Sequence, residues 1–173
     1  MVDLDLTTRK AEPADAAALC RILNPIIATG LYTVLDEPFS IDAERRYIES
    51  FPERRVFRVA VLPVAGSGEG RIVGMQSIEP FASYTAVFDH VGVLGTYVDL
   101  AERRRGIGMR LAEDVFTDAR AAGYEKLFTY VRADNPGALA FHSRLGFRVV
   151  GVAGAQAKIG DRYVDEVIVE KSL

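Results

Sequence analysis

Residues 103–109 read Arg-Arg-Arg-Gly-Ile-Gly-Met and join an apolar run, Val91–Val98, to an amphipathic one that begins at Ile107. Glycine has no Cβ, so Gly106 and Gly108 permit unusual dihedrals and let a ligand approach the backbone. A helix starting at such a turn offers backbone N–H groups without partners and the positive end of its dipole, a setting for an anion such as a phosphate. Arg103, Arg104 and Arg105 add positive field and phosphate donors. The same residues also fit a tight turn followed by a solvated charge cluster, because motifs this short recur by chance. Two phosphate signatures are excluded. The dinucleotide fingerprint needs a third glycine at position 111, where Leu111 stands, and the triphosphate loop needs a Gly-Lys pair that this chain lacks.

A second cluster runs from Asn135 to Phe147. Asn135, Ala138 and His142 are offset by three and seven residues, so they share one helix face. A histidine there is largely neutral near pH 7. It fits an acid if charged, a group that holds a ligand or a water, or a satisfied core histidine.

The elements that carry these clusters can be read from periodicity. Thr7–Lys10 ends a first strand. A helix follows from Pro13, with Ala16, Leu19, Cys20, Leu23 and Ile27 at helical spacing and Gly30 as its stop. Residues 31–39 read as a loop or short extended piece. Ser40 caps a second helix, with Asp42 and Glu44 in its first turn and an end near Ser50, before Pro52. Val56–Leu62 and Arg71–Ile78 are strands, joined by a flexible connection over 64–71. Val87–Val98 reads as the next strand, and Gly92 and Gly95 within it suggest a bulge or a close backbone approach. Ile107, Leu111, Val115 and Ala119 recur every four residues, a helix packed on a sheet that stops at Gly123. Lys126–Arg132 is a strand. Asp134-Asn135-Pro136 starts a helix that ends at Gly146, and Phe147–Val152 and Tyr163–Lys171 are the last strands, linked through 154–161.

At Arg103, Gly106 and Gly108, after a strand ending Thr96-Tyr97-Val98-Asp99, the chain resembles the GCN5-related N-acetyltransferases. Their acyl-CoA signature is Arg or Gln, two residues, Gly, one residue, then Gly or Ala. The Asn135–Phe147 stretch, closing on Leu145-Gly146-Phe147, resembles the family's second motif, in the right order and at the right separation. Phe141-His142 ahead of Arg144-Leu145-Gly146-Phe147 is similar to the phosphinothricin and amino-acid acetyltransferase branch. That branch's strand glutamate has no counterpart in Val91–Val98, and many family members carry tyrosine where His142 stands.

The resemblance implies one α/β (α+β) domain over 1–173, with a central mixed, mostly antiparallel sheet of about six or seven strands splayed in the middle and about four flanking helices. It implies an acetyl-CoA-dependent N-acetyltransferase acting on a primary amine of a small or amino-acid-like acceptor, by direct attack in a ternary complex. Backbone groups of Tyr97 and Val98 would contact the pantetheine. Main-chain amides from Arg104 through Arg105, Gly106, Ile107 and Gly108 to Met109 would cradle the pyrophosphate, with Arg103 and Arg104 in support. Asn135 would hydrogen-bond the arm, Ala138 would leave room for it, and His142 would face it. Tyr32, Thr33, Glu79 and Tyr84 are the acceptor-side candidates. An attacking amine must be neutral, and a lysine-like amine has a pKa of about 10.4, so a base or an ordered water is needed. Asp89 and His90 are candidates beside Glu79 and Asp99, although a solvated turn pair fits Asp89-His90 equally, and Asp99 fits a partner for Arg103–Arg105.

The bulk numbers suit this. The 173 residues fit one domain. A formal net charge of −3 gives no overall pull toward nucleic acid. The single Cys20 makes no internal disulfide and belongs to no metal-ligand spacing, so no metal is expected. No apolar run reaches the ~20 residues of a membrane span, and the N-terminal residues lack a signal core, which implies a reducing cytoplasm. The readings left open are a non-catalytic acyl-CoA-binding module and a protein N-terminal or lysine acetyltransferase. Homodimers are common in the family, and the sequence leaves the oligomer open.

Overall fold

The computed structural model describes residues 5–51, 54, 56–64, 66 and 70–173. Its strands are β1 (Thr7–Lys10), β2 (Val56–Pro63), β3 (Gly70–Pro80), β4 (Val91–Val98), β5 (Lys126–Arg132), β6 (Arg148–Ile159) and β7 (Arg162–Ser172). Its α-helices are α1 (Ala16–Ala28), α2 (Ile41–Glu49), α3 (Ile107–Ala121) and α4 (Pro136–Arg144). The strands form one seven-stranded sheet in the order β1-β2-β3-β4-β5-β7-β6, antiparallel except for the central β4–β5 pair.

The helices form where apolar residues line one face and a cap fixes the start. Ser40 Oγ accepts from Ala43 N at 3.1 Å and opens α2, and Asn135 Oδ1 accepts from Ala138 N at 3.1 Å and opens α4. From α1, Leu19, Ile22 and Ile26 pack against Val59 of β2 and Ile72 and Met75 of β3. From α3, Ile107 and Leu111 meet Ala60 and Val73 on the opposite face, and Val115 joins Ile78, Leu94 and Leu127. Each such side chain contributes about 1.5–3 kcal/mol on burial. That matters for helices this short, which are marginal alone. The sheet is therefore covered on both faces, and the strands at its centre read as near-continuous apolar runs.

Three boundaries differ from the sequence reading. Ala86–Phe88 is a 3-10 turn, because Thr85 Oγ1 accepts from Val87 N and starts a turn where an apolar run suggested strand, so β4 begins at Val91. Gly92 and Gly95 mark no bulge, since the β3–β4 register runs unbroken from Gly74–Val98 to Pro80–Gly92. Gly92 answers to close packing instead: a Cβ there would lie 2.4 Å from Ile78 Cγ2. The 154–161 link is not a loop. β6 continues to Ile159 through an irregularity between Ala153 and Ala157, where Ala155 takes φ 51°, and turns at Gly160-Asp161. Of the expected 64–71 connection, residues 65 and 67–69 lie outside the described residues, as do residues 1–4 and Pro52.

Candidate active site

The sheet opens at its centre. β4 and β5 pair only over Val91–Val93 and Lys126–Phe128, and beyond that point they diverge. The register decides which backbone groups face the gap. Asp99 N donates to Val73 O and Phe81 N to Val91 O, and in an antiparallel ladder bonded pairs recur every two residues. Tyr97, paired with Met75, therefore spends its backbone groups on β3, while those of Thr96 and Val98 point into the gap. Of the two residues expected to offer backbone groups to a pantetheine arm, Val98 has them directed into the gap, whereas those of Tyr97 are committed to β3.

The gap leads to the start of α3. Gly106 caps that helix at φ 83° without a side-chain bond, and Arg104 is also left-handed at φ 63°. Among the described residues, no hydrogen bond runs from the N–H groups of residues 105–109. Gly108 has a second reason to lack a side chain, since a Cβ would sit 2.9 Å from the Phe141 ring. The three arginines divide. Arg105 pairs with Glu102, which also takes Arg71. These contacts, that to Arg71 first, hold the Glu102 carboxyl below its usual range. Arg103 and Arg104 form no ion pair among the described residues, and the Arg103 guanidinium lies 3.8 Å from the centre of the Tyr32 ring. Asp99 does not serve Arg103–Arg105 as expected. It pairs with Arg21 and Arg71, each at 3.3 Å, and caps the turn at Leu100 through Ala101 N.

Behind the gap lies a cleft of about 610 Å³, lined mainly by apolar groups. Tyr32, Thr33, Glu79, Asn135, Ala138 and His142 all reach it, so one loop, β3 and α4 with its N-cap bring these expected residues together. Asn135 spends its Oδ1 on the α4 cap. Glu79 accepts a hydrogen bond from the Tyr47 hydroxyl of α2. Burial pushes the Tyr97 phenol up, with the charges of Glu79 and Glu44 adding to the shift and Thr33 opposing it.

His142 is 8% exposed. Its Nδ1 lies 2.8 Å from the Ala138 carbonyl oxygen. A carbonyl only accepts, so Nδ1 carries the proton and Nε2 is left as an acceptor. Phe141 and Phe147 meet the ring edge-on at 5.2 Å each. Burial lowers its pKa, opposed by the bond to Ala138. Burial thus favours the neutral imidazole.

Three expected residues are elsewhere. Asp89, His90 and Tyr84 do not line the cleft. Asp89 pairs with Arg54 at 3.3 Å, and the His90 carbonyl accepts from Glu125 and Lys126. Tyr84 is 82% exposed in a shallow depression beside Asp89. The run before β4 turns outward, so spacing toward the strand did not carry these groups to the gap.

Sequence reasoning also missed groups. Glu44, read from sequence only as a first-turn acid of α2, is 4% exposed and lines the cleft. Glu166 of β7 lines it too, and burial pushes both carboxyls up. Arg132, with a side chain only 2% exposed, donates to Gly30 O at 2.8 Å and Thr33 O at 2.9 Å and forks onto Asp134. It thereby ties the Tyr32–Thr33 loop to the end of β5. No local pattern announces any of these, because each depends on how distant segments pack. No group of three or more metal-ligating side chains occurs among the described residues.

Comparison with known proteins agrees with this geometry. Residues 27–147 match the acetyltransferase (GNAT) family. The phosphinothricin N-acetyltransferase of Streptomyces coelicolor is 26% identical over 169 residues, covering 98% of this chain and 97% of that one. The L-amino acid N-acyltransferase MnaT of Escherichia coli is 30% identical over 146 residues, 83% of this chain and 80% of its own. Among solved structures, a phosphinothricin acetyltransferase from Sinorhizobium meliloti in complex with AcCoA superposes with a TM-score of 0.86 at 21% identity, covering 97% of this chain and 88% of that one. The divided sheet, the bare helix start and the sequence match over most of the chain agree: the protein is an acyltransferase that belongs to the acetyltransferase (GNAT) family.

Proposed function

We propose that the protein transfers an acetyl group from acetyl-CoA to a primary amine of a small molecule, by direct attack within a ternary complex. The observation that carries this reading is the continuity of the central gap with the start of α3. The gap presents backbone groups of Thr96 and Val98 for the amide-rich pantetheine arm. The α3 start presents unpartnered N–H groups, with Arg103 and Arg104 beside them for the pyrophosphate. Ala138 and His142 line the far wall of the cleft. Relatives named for phosphinothricin and L-amino acids, and a structural neighbour holding AcCoA, support the same co-substrate and an amine acceptor.

In this reading the neutral amine nitrogen attacks the thioester carbonyl carbon, a C–N bond forms, the C–S bond breaks and the thiolate leaves. The nitrogen sheds one proton, and the thiolate takes one. No covalent enzyme intermediate is needed, and holding amine and thioester together supplies much of the rate. Glu79, bonded by Tyr47, is the acceptor-side proton acceptor of this proposal, directly or through a water. His142, neutral and with Nε2 as acceptor, orients the cofactor or a water. The single buried Cys20 fits a reducing compartment, and we read the enzyme as cytoplasmic.

Initial rates with acetyl-CoA and a panel of primary amines, followed by free-thiol release, test the proposal. Intersecting double-reciprocal patterns are expected. Parallel lines would remove the ternary complex, and tight acetyl-CoA binding without turnover on any amine would favour a sensing module.

A further inference from the structure

The carboxylate of Glu44 is out of place. It is 4% exposed, and among the described residues its side chain forms no hydrogen bond and no ion pair. Burial alone pushes its pKa up, with no partner acting to lower it. A first-turn acid does favour a helix through the dipole, but Asp42, two residues earlier and exposed, already serves that purpose. The dipole is also weaker than the cost of removing a lone carboxylate from water. What Glu44 faces is the cleft.

The rest of the lining has the same sign. Glu79 and Glu166 also border the cleft, and the Tyr97 phenol feels both Glu44 and Glu79. Among the described lining residues, Arg132 is the one guanidinium, and its donors are taken by Asp134, Gly30 and Thr33. An acceptor with its own carboxylate would find three carboxyl groups and no unengaged cation among the described lining residues.

Resting on the acetyltransferase reading above, we propose that the acceptor is a diamine-like molecule, with one amine to be acetylated, a second cationic centre and no carboxylate, and that Glu44 is the counter-ion of the second centre. The relatives named for phosphinothricin and L-amino acids act on carboxylated acceptors. The acceptor proposed for this chain differs from theirs in lacking a carboxylate. Placing a cation against Glu44 gives the buried carboxylate the partner that the fold withholds.

The test compares 1,4-diaminobutane, n-butylamine and ornithine at saturating acetyl-CoA. The diamine should exceed both others in kcat/KM. Glu44→Gln keeps the shape and removes the charge. It should lower kcat/KM for the diamine by about 30-fold, mainly through KM, and leave n-butylamine and the acetyl-CoA Kd unchanged. Glu44→Leu, an apolar filling of the same site, should behave alike, and both variants should unfold no earlier than the parent. Preference for ornithine, or an unaltered diamine-to-monoamine ratio in both variants, overturns the proposal while leaving the acetyltransferase reading intact. Absence of turnover on every amine, with acetyl-CoA bound, would instead refute the reading beneath it.

Discussion

Removing the guanidinium of Arg132 should loosen the acceptor side of the cleft before it touches the cofactor side. Consider Arg132→Leu. The side chain is 2% exposed, and two of its bonds end on backbone carbonyls, Gly30 O at 2.8 Å and Thr33 O at 2.9 Å. A buried acceptor stripped of its donor costs about 1–3 kcal/mol, so the two span about 2–6 kcal/mol and, with the Gly30 bond only part-buried, are worth roughly 3 kcal/mol. The Asp134 end is 38% exposed and screened, and adds less than about 1 kcal/mol. The sum, about 3–4 kcal/mol, corresponds to a fall in Tm of roughly 10 °C for a chain of this size. Urea unfolding should show a lower midpoint at unchanged slope. Arg132→Lys, which keeps the charge but not the fork, should fall between. In that milder variant the acceptor KM should rise while acetyl-CoA affinity holds, because the tethered segment carries Tyr32 and Thr33. A loss below about 1 kcal/mol in Arg132→Leu, or a KM effect confined to acetyl-CoA, would refute this account of the loop.

Gly106→Ala has room for its methyl, with nothing within 4 Å, but must hold φ 83°; a stability loss of about 1–2 kcal/mol and weaker acetyl-CoA binding by calorimetry are expected. Gly108→Ala confounds the two, since its Cβ meets Phe141, so lost affinity there does not isolate the anion site. His142→Ala should lower kcat about tenfold with little change in acetyl-CoA Kd; a fall in kcat above pH 7 that disappears in this variant would restore His142 as a general acid. Glu102→Gln should cost about 1 kcal/mol near neutral pH. Because the folded carboxyl titrates below its unfolded value of about 4.3, that deficit should be fully present above pH ~4.3 and shrink as pH falls through the folded pKa, which acid unfolding curves of both proteins would measure.

The parts of this molecule that depend on near neighbours in the chain could be read from sequence. Ile107, Leu111, Val115 and Ala119 place α3 by spacing alone, and Ser40 and Asn135 mark their helix starts by side-chain chemistry. The cofactor-side motif is local too, since residues 103–109 form one turn. The proposed acceptor side is assembled from α2, β3, β4, β7 and the 31–39 loop, and there the reading ran short. Glu44 read only as a first-turn acid because nothing within its own helix reveals what α2 is pressed against. Asp89 and His90 looked close to the gap because chain distance to β4 stood in for distance in space. Gly154 and Ala155 looked like a loop, although β7 supplies a partner strand that carries β6 through the irregularity.

The parting of β4 from β5 gives the sheet an edge in its interior. Amide exchange should report it as an alternation along one strand: slow at Gly95 and Tyr97, whose protons are committed to β3, and fast at Thr96 and Val98, whose protons meet no strand. Central strands are ordinarily the last to exchange. Here the middle of the sheet should carry some of its most labile protons, and a pantetheine arm lying in the gap should silence them without altering their neighbours.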